Sequence, residues 1–569
     1  MLHQHYHALG KTNCGSNGAR VAGARRKGRT MDISAAQPAD GTRSGPGRGA
    51  LFALCFLTLV LSIPYVQCLG DDTFIYMRVV ENFLRSGQIA FNPGDPCYLV
   101  TSPTWFFLWA GTTKVLGNID LARYVLSVIF HCLAFFSTYL VARRLIRNRF
   151  VLLVTLAVAF LDPFYLRWMW AGWETGMKIT MASLSLWVLL RLHGESRARD
   201  VLLAGLCIGF AFLTRPEMIV LVALGFGYLA LKFPRHRRWL PIYTLGLLIS
   251  TAPWMTYAYA TFGWAVPHTV FAMSGVQVGQ RYFAKNAVKF VQIVGGPMLT
   301  AIALLGTSLV IRWRSSSGNP ESVATSSNVK QASEGPASLL DWLLVAIWAL
   351  AVTGYLITGS IVVSIYTGLF VPALAVAFGG AADRVSTAFT MRWMRAPQAA
   401  GFLVLALLIS VGIQSRLYLR YSLFNEDYRQ GVDERFVEFA RGIKDLTEPG
   451  DEVGLWELGV IGYFSERTIV DFAGLATPEI IPYLRSHERN YVDRFVEDRG
   501  KAPRFIVRQY RKGEDAGRET SQQAFFGRNY EPILSRKVQR IGGSVPQEHY
   551  DLYVLYRAVE PETRNPGTG

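Results

Sequence analysis

The chain has 569 residues, 51% of them hydrophobic and only 17% charged, with a mean hydropathy of +0.23. Soluble globular chains carry about 25% charged residues, so this composition is that of a membrane protein and excludes collagen-like, coiled-coil and mainly disordered classes. The net charge of +17 would point to nucleic acid in a soluble chain; in a membrane chain its placement along the sequence decides its meaning, and no nucleic-acid partner is expected.

Residues 1–49 hold Arg20, Arg25, Arg26, Lys27, Arg29, Arg43 and Arg48 among Gly, Ser and Ala without an apolar run, the pattern of a disordered basic tail within which Met31 is an alternative start. The apolar stretch 51–68 lacks a small-residue cleavage motif and reads as a retained membrane helix. Further spans are predicted at about 121–142, 150–167, 175–192, 201–213, 217–232, 239–260, 288–311, 338–358, 361–381 and 398–415, about eleven in all.

Basic clusters orient these spans. Arg143/Arg144/Arg147/Arg149, Arg191/Arg197/Arg199, Lys232/Arg235/Arg237/Arg238, Arg312/Arg314 and Arg384/Arg392/Arg395 all fall on the cytoplasmic side under one arrangement. It requires that 102–117 lie at the outer interface and that 201–232 cross twice, turning at Thr214-Arg215-Pro216. The N-terminus is then cytoplasmic, and 69–120, 167–174, 214–216, 261–287 and everything after Arg416 are external. The Ser-, Asn- and Gly-rich stretch 313–337 reads as a flexible inner linker. Short strand-like runs at 452–456, 468–470, 504–508 and 552–556, with helical stretches at 430–446 and 486–498, make 416–569 an external α/β domain of ordinary size. The expected fold is an α-helical polytopic membrane protein (50–415) carrying a catalytic outer loop (69–120) and a C-terminal extracytoplasmic α/β domain.

The polar residues that bear chemistry gather at the outer ends of the spans. Asp71 and Asp72 follow the first span and open an amphipathic segment; an N-cap role for Asp72 is the plainer reading of such a pair. Glu174 sits in AGWETG, Arg215 and Glu217 in LTRPE, and Tyr165, Arg167, Trp170 and His268 are external as well. Ionisable groups at membrane depth are costly and are either paired or functional; a local ion pair is the plainer reading of Arg215 and Glu217. Cys68 and Cys97 flank the outer loop on the potentially oxidising side; free thiols are the plainer reading, and a disulfide pinning the loop is the alternative. Trp456, Glu457, Asp471 and His487 in the tail suit glycan contacts, although strand ends and surface residues are the commoner origin of such a set.

The string GDDTFIYMRVVENFLRSGQIAFNPGDPCYLVTSPTW (70–105), followed in order by AGWETGM (171–177), LTRPEM (213–218), FGWAVPHTVFAMSG (262–275) and GVIGYFSERTIVDFAGLATPEI (459–480), resembles the polyprenyl-phosphate-dependent glycosyltransferases of the GT-C fold, in particular the mycobacterial terminal arabinofuranosyltransferase family. That resemblance implies an inverting transfer of a sugar, arabinofuranose among the candidates, from a polyprenyl-phosphate donor to a cell-envelope glycan or glycolipid, in a bacterial plasma membrane. It implies Asp71 or Asp72 as the general base on the acceptor hydroxyl, Asp71 being the first choice, with the other carboxylate orienting or binding a divalent cation (Mg, Mn or Ca). Arg215, then Arg78, are the candidates for the donor phosphate, with His268 a third where the family often carries Asn; Ser274 stands near where many members carry Lys. Glu174, Glu217 and Tyr165 are candidate substrate contacts. A transporter or flippase of lipid-linked intermediates is the competing class, disfavoured because the polar residues collect at one face instead of the bilayer midplane.

Overall fold

The computed structural model describes residues 47–275, 338–359, 367–388 and 433–559, less 487, 489, 512, 515–516 and 540–549, with isolated positions between 412 and 419. The basic tail before 47, the linker 313–337, the span at 288–311, nearly all of 398–415, and His487 lie outside these residues.

The chain enters through α1 (Arg48–Ser62), which a 3₁₀ turn prolongs to Tyr65, and then opens the outer loop with α2 (Asp71–Ser86), the short hairpin β1 (Ala90–Asn92) and β2 (Asp95–Pro96), and α3 (Pro103–Leu116). The helical body continues with α4 (Ile119–Leu145), α5 (Arg149–Phe160), α6 (Pro163–Trp168), α7 (Thr175–Arg191), α8 (Ala198–Thr214), α9 (Ile219–Lys232), α10 (Trp239–Phe262), α11 (His268–Gly275), α12 (Leu339–Gly359) and α13 (Thr367–Ala388). Among the described residues two segments, Arg48–Tyr65 and Ile119–Leu145, are by themselves long and apolar enough to cross a bilayer. Large apolar side chains stay exposed around the body, Phe56 at 68% and Leu231 at 71% among them, as expected of helix faces solvated by lipid instead of water. The stretch 201–232 is two helices, α8 and α9, separated by a 3₁₀ turn at Pro216–Met218.

The two ends of the body differ in chemistry. At one end Asp383 accepts from the backbone N–H groups of Arg147 (2.8 Å) and Asn148 (2.9 Å), and Asp341 accepts from Lys232 Nζ and Tyr228 O–H, both at 2.6 Å. The other end gathers α2, the 171–174 loop, Arg215 and the start of α11, where His268 N–H donates to Tyr98 O at 2.9 Å. Between the ends, Tyr165 O–H bonds His131 Nδ1 (2.8 Å), and His131 Nε2 bonds Thr58 Oγ1 (2.8 Å). Because Thr58 donates its own proton to Cys55 O (2.7 Å), its oxygen must accept, which assigns the imidazole proton to Nε2.

Helices α8 and α10 cross at close range over small residues. A Cβ built on Gly205 would lie 2.2 Å from Tyr243 O, and one on Gly209 would lie 1.9 Å from Ser250 Oγ, so this Gly-x-x-x-Gly face sets the approach of the two backbones.

After the body, α14 (Glu434–Leu446) leads into β3 (Glu452–Leu455), α15 (Gly459–Ser465), β4 (Thr468–Asp471), α16 (Ile481–Arg485), α17 (Tyr491–Arg499), β5 (Phe505–Tyr510), β6 (Gln523–Phe525), β7 (Arg528–Gln539) and β8 (Tyr550–Ala558). The sheet order is β4-β3-β5-β8-β7-β6, with β3 parallel to β4 and β5 and the remaining pairs antiparallel. α14 is capped by Asp433, whose carboxylate accepts from Arg435 N–H at 2.9 Å, and buries Phe436, Phe439, Ala440 and Ile443, the i, i+3, i+4, i+7 stripe of an amphipathic helix. That stripe meets Tyr553 and Leu555 in a core that also contains Phe74, Met77, Val80 and Phe91 from the outer loop, so body and tail domain share one apolar interior.

Cys68 and Cys97 are unbonded, so the alternative of a loop-pinning disulfide does not hold: Cys68 packs in the helical body and Cys97 in the core shared with the tail domain. Burial pushes the Cys97 thiol up to about 12, so it stays protonated and inert.

Substituting Gly205 by Leu should lower the unfolding midpoint of the detergent-solubilised protein, with a cost of about 1–3 kcal/mol from overpacking. Gly227→Leu, at a position with open space around it, is the control; equal losses in both would overturn the close-approach assignment.

Candidate functional site

The outer loop begins with a tight local arrangement. Gly70 is the N-cap of α2, its N–H donating to Thr73 Oγ1 (3.1 Å) while Thr73 donates in turn to Ala171 O. Asp71 and Asp72 therefore occupy the first turn and neither serves as the N-cap, which corrects the capping reading of Asp72. The facing loop turns at Gly172, with φ +79, where a Cβ would lie 2.6 Å from Thr73 Cγ2; Trp105 Nε1 donates to Gly172 O at 3.0 Å. These contacts fix Glu174, the residue before α7, against the start of α2.

The two acidic residues face different surroundings. Asp71 directs both carboxylate oxygens at the first turn of α15, accepting from Gly459 N–H (3.1 Å) and Val460 N–H (2.8 Å). Gly459 permits this approach, since a Cβ there would lie 2.5 Å from Asp71 Cγ. Asp72 accepts no hydrogen bond from a described residue and is open to solvent, although protein closes around it on several sides. That partial enclosure, with Asp71 adding to it, pushes the Asp72 carboxyl up to about 6; Arg215 opposes the shift and Glu174 reinforces it. Burial likewise raises Asp71, offset in part by its two backbone donors.

Beneath Asp72 lies a network of charges. Arg215 pairs with Glu174 (3.2 Å) and Glu217 (3.0 Å) and donates to Thr101 Oγ1 (3.3 Å); Thr101 in turn bonds Tyr76 O–H at 3.2 Å. Lys178, one helical turn after Glu174, closes the network at 3.4 Å. The Arg215 side chain is 16% exposed against 4% for Glu174 and 2% for Lys178, so Arg215 is the member that reaches the solvent-open space beside Asp72, the cleft of the site. Sequence reading paired Arg215 with Glu217 but missed Lys178; Glu174 and Lys178, four positions apart across the start of α7, were the available signal.

Arg78 has another role. Its Nε donates to Phe91 O (2.9 Å), and its two terminal nitrogens to Gly462 O and Arg467 O, the latter at 2.7 Å. With its donors turned to backbone carbonyls, Arg78 joins the loop to the tail domain and is not placed to take a phosphate. Tyr165 is fully buried in the relay to His131 and does not reach the Asp72 cleft. His268 is 2% exposed between Tyr98 and Trp264, and neither ring nitrogen has a hydrogen-bond partner. Burial pushes it down to about 4, so it is neutral at physiological pH.

Among the described residues no group of three His, Cys, Asp or Glu side chains is placed to hold a metal ion. Asp71 has committed its oxygens to α15, and the cation beside Asp72 is already Arg215, so a divalent-cation site at the pair does not fit this donor set. In the tail, Asp471 accepts from Ala473, Leu475 and Ala476 N–H, and Glu457 from Tyr553 O–H; both hold local structure.

The family model for dolichyl-phosphate-mannose-protein mannosyltransferases matches residues 100–259, and a model described as a domain of unknown function (DUF8728) matches 423–556. The comparison with curated proteins finds no match. Among solved structures, ArnT from Cupriavidus metallidurans bound to undecaprenyl phosphate aligns with a TM-score of 0.54 at 14% identity, covering 90% of this chain and 98% of that one. The apo state of the same protein gives 0.51 at 14% identity, covering 89% and 97%. The likeness is one of fold, a helical membrane body with a C-terminal sheet domain, and together with the matched segment it supports the resemblance to polyprenyl-phosphate-dependent GT-C glycosyltransferases.

Asp71→Ala leaves two N–H donors of α15 unpaired and should lower the thermal midpoint, at a cost of about 1.5–3 kcal/mol for charge-assisted bonds, whereas Asp72→Ala should not. Differential scanning in one detergent measures both; equal losses would show that the two carboxylates are not divided in this way.

Proposed function

We propose that this chain, a GT-C membrane glycosyltransferase by fold and by its matched segment, transfers a sugar from a polyprenyl-phosphate donor to a hydroxyl of a cell-envelope glycan or glycolipid, with inversion and with Asp72 as general base. The observation that carries the reading is the contrast within the acidic pair: Asp71 is held by α15, while Asp72 stands open and unpaired above Arg215. The preference between the two carboxylates is therefore the reverse of the one read from sequence.

The chemistry follows from the placement. An acceptor hydroxyl entering the cleft gives its proton to Asp72 Oδ as its oxygen forms a bond to the anomeric carbon. The bond from that carbon to the phosphate oxygen breaks, and polyprenyl phosphate leaves with the electron pair. Arg215 answers the developing charge through the fixed positive charge of a guanidinium whose Nε and Nη2 are held by Glu217. Glu174 and Glu217 hold the plane of that guanidinium, and Lys178 holds Glu174 in position. A carboxyl raised to about 6 is a stronger base than an ordinary aspartate and is still mostly deprotonated at neutral pH. An arabinofuranosyl donor and an external, periplasmic site are the finer parts of this proposal; they rest on the motif resemblance and on the distribution of basic residues.

Asp72→Asn should insert and fold yet lose about 10²–10⁴-fold in turnover with a polyprenyl-phosphate sugar, the usual contribution of a positioned base. Retention of full activity would overturn the mechanism. The base works deprotonated, so kcat/KM should rise with pH through about 6 and level off above it; a flat profile between about pH 4.5 and 7.5 would assign the proton elsewhere. Arg215→Gln should weaken the donor more than the acceptor, read as a larger rise in donor KM.

A further inference from the structure

A second cavity, of about 520 Å³, lies between the outer-loop hairpin and the tail domain, away from the Asp72 cleft. It is far larger than the roughly 30 Å³ share of a water molecule and falls within the 300–1,000 Å³ range of ligand pockets. Its walls come from the β1–β2 turn, the first residues of β3 and β4, the 477–483 segment and α17.

The lining chemistry narrows the occupant. Among its charged residues, Glu452 is held by Arg499 (3.0 Å) and Lys501 (3.1 Å), and Asp498 accepts from Tyr483 O–H (2.6 Å). Asp95 and Glu479 are exposed to the cavity with no hydrogen-bond or ionic partner among the described residues. The remaining acids disfavour phosphates and other anions, and among the described residues no set of three ligands is placed there for a metal. Half-buried Tyr483, packed edge-on to Phe495 at 5.7 Å, adds an aromatic wall. Carboxylate acceptors beside an aromatic surface suit an uncharged ligand with many hydroxyl groups and apolar C–H faces.

The cavity is also tied to the reacting end. Asn92 bonds Ile469 through both backbone groups, each at 2.9 Å, and α2 grips the hairpin through Arg78 and Asn82, both donating to Phe91 O at 2.9 Å. The element that forms one wall of the cavity is therefore continuous with the helix that begins at Asp71 and Asp72.

From these observations we infer that the cavity is a distal subsite for a neutral acceptor glycan, holding sugar units remote from the hydroxyl that reacts at Asp72. The inference rests on the glycosyltransferase reading above. Occupancy at two points on one acceptor makes long glycans better substrates than trimmed ones, because the second contact becomes intramolecular.

The test uses full-length protein and envelope glycan extracted from a strain lacking this chain, either intact or trimmed by mild acid. The unsubstituted protein should show a lower KM for intact than for trimmed glycan. In Asp95→Asn/Glu479→Gln, and separately in Tyr483→Ala, the ratio of the two KM values should fall toward one, with the intact-glycan KM rising about tenfold. A ratio unchanged from the unsubstituted protein would overturn the subsite, as would a turnover loss equal on both acceptors. Retention of intact glycan on immobilised protein gives an independent reading: Asp72→Asn should retain it and Asp95→Asn/Glu479→Gln should not. Retention without transfer by the unsubstituted protein would strike the enzymatic reading and leave the subsite standing, whereas retention equal in all variants would strike the subsite alone.

Discussion

The structure depends on the docking of one helix. α2 belongs to the outer loop of the membrane body, yet its two most demanding side chains are satisfied by the tail domain: Asp71 by two N–H groups of α15, Arg78 by the carbonyls of Gly462 and Arg467 as well as Phe91. Between them Phe74, Met77 and Val80 enter the core that the tail sheet and α14 complete. Burying a carboxylate and a guanidinium is costly unless each is hydrogen-bonded, and here the bonds are backbone groups with little freedom to move. The docking thereby fixes the first turn of α2, and with it the direction in which Asp72 points.

Around that fixed turn, the remaining polar residues divide into holders and reachers. Glu174, Lys178 and Glu217 are nearly or wholly withdrawn from water and act on one another, while Arg215 and Asp72 face the cleft. A network of this kind keeps a cation available without letting it collapse onto the acid beside it, since its guanidinium is already held by two other carboxylates. The same economy explains Gly172 and Gly459, where a side chain of any size would push the acid-bearing turn away from its partners.

Much of the architecture was legible in the sequence because it follows from local periodicity. The stretch 121–142 is helical as α4, Ile119–Leu145; 239–260 is helical as α10, Trp239–Phe262; and the strand at 552–556 lies within β8, Tyr550–Ala558. What escaped was non-local. α15 carries no amphipathic signature in its seven residues, and β6 and β7 are largely half-buried strands of mixed character. The gathering of Asp71, Glu174 and Arg215 near one face could be read from topology, but the division of labour between Asp71 and Asp72 could not, because the partners of Asp71 lie 388 and 389 positions away. Arg78 misled for the same reason: an arginine on the same helix as an acidic pair looks like a phosphate ligand until its carbonyl partners are seen.

That separation along the chain also has a meaning in time. At about 5–20 residues per second of synthesis, α15 is made some 20 to 80 s after α2. Throughout that interval the newly inserted loop presents Phe74, Met77 and Val80 without the surface that covers them, and Asp71 without its donors. The first turn of α2 takes its final form only when α15 has been made and the tail domain has folded back, so a chain stalled before that point sits in the membrane without an assembled cleft.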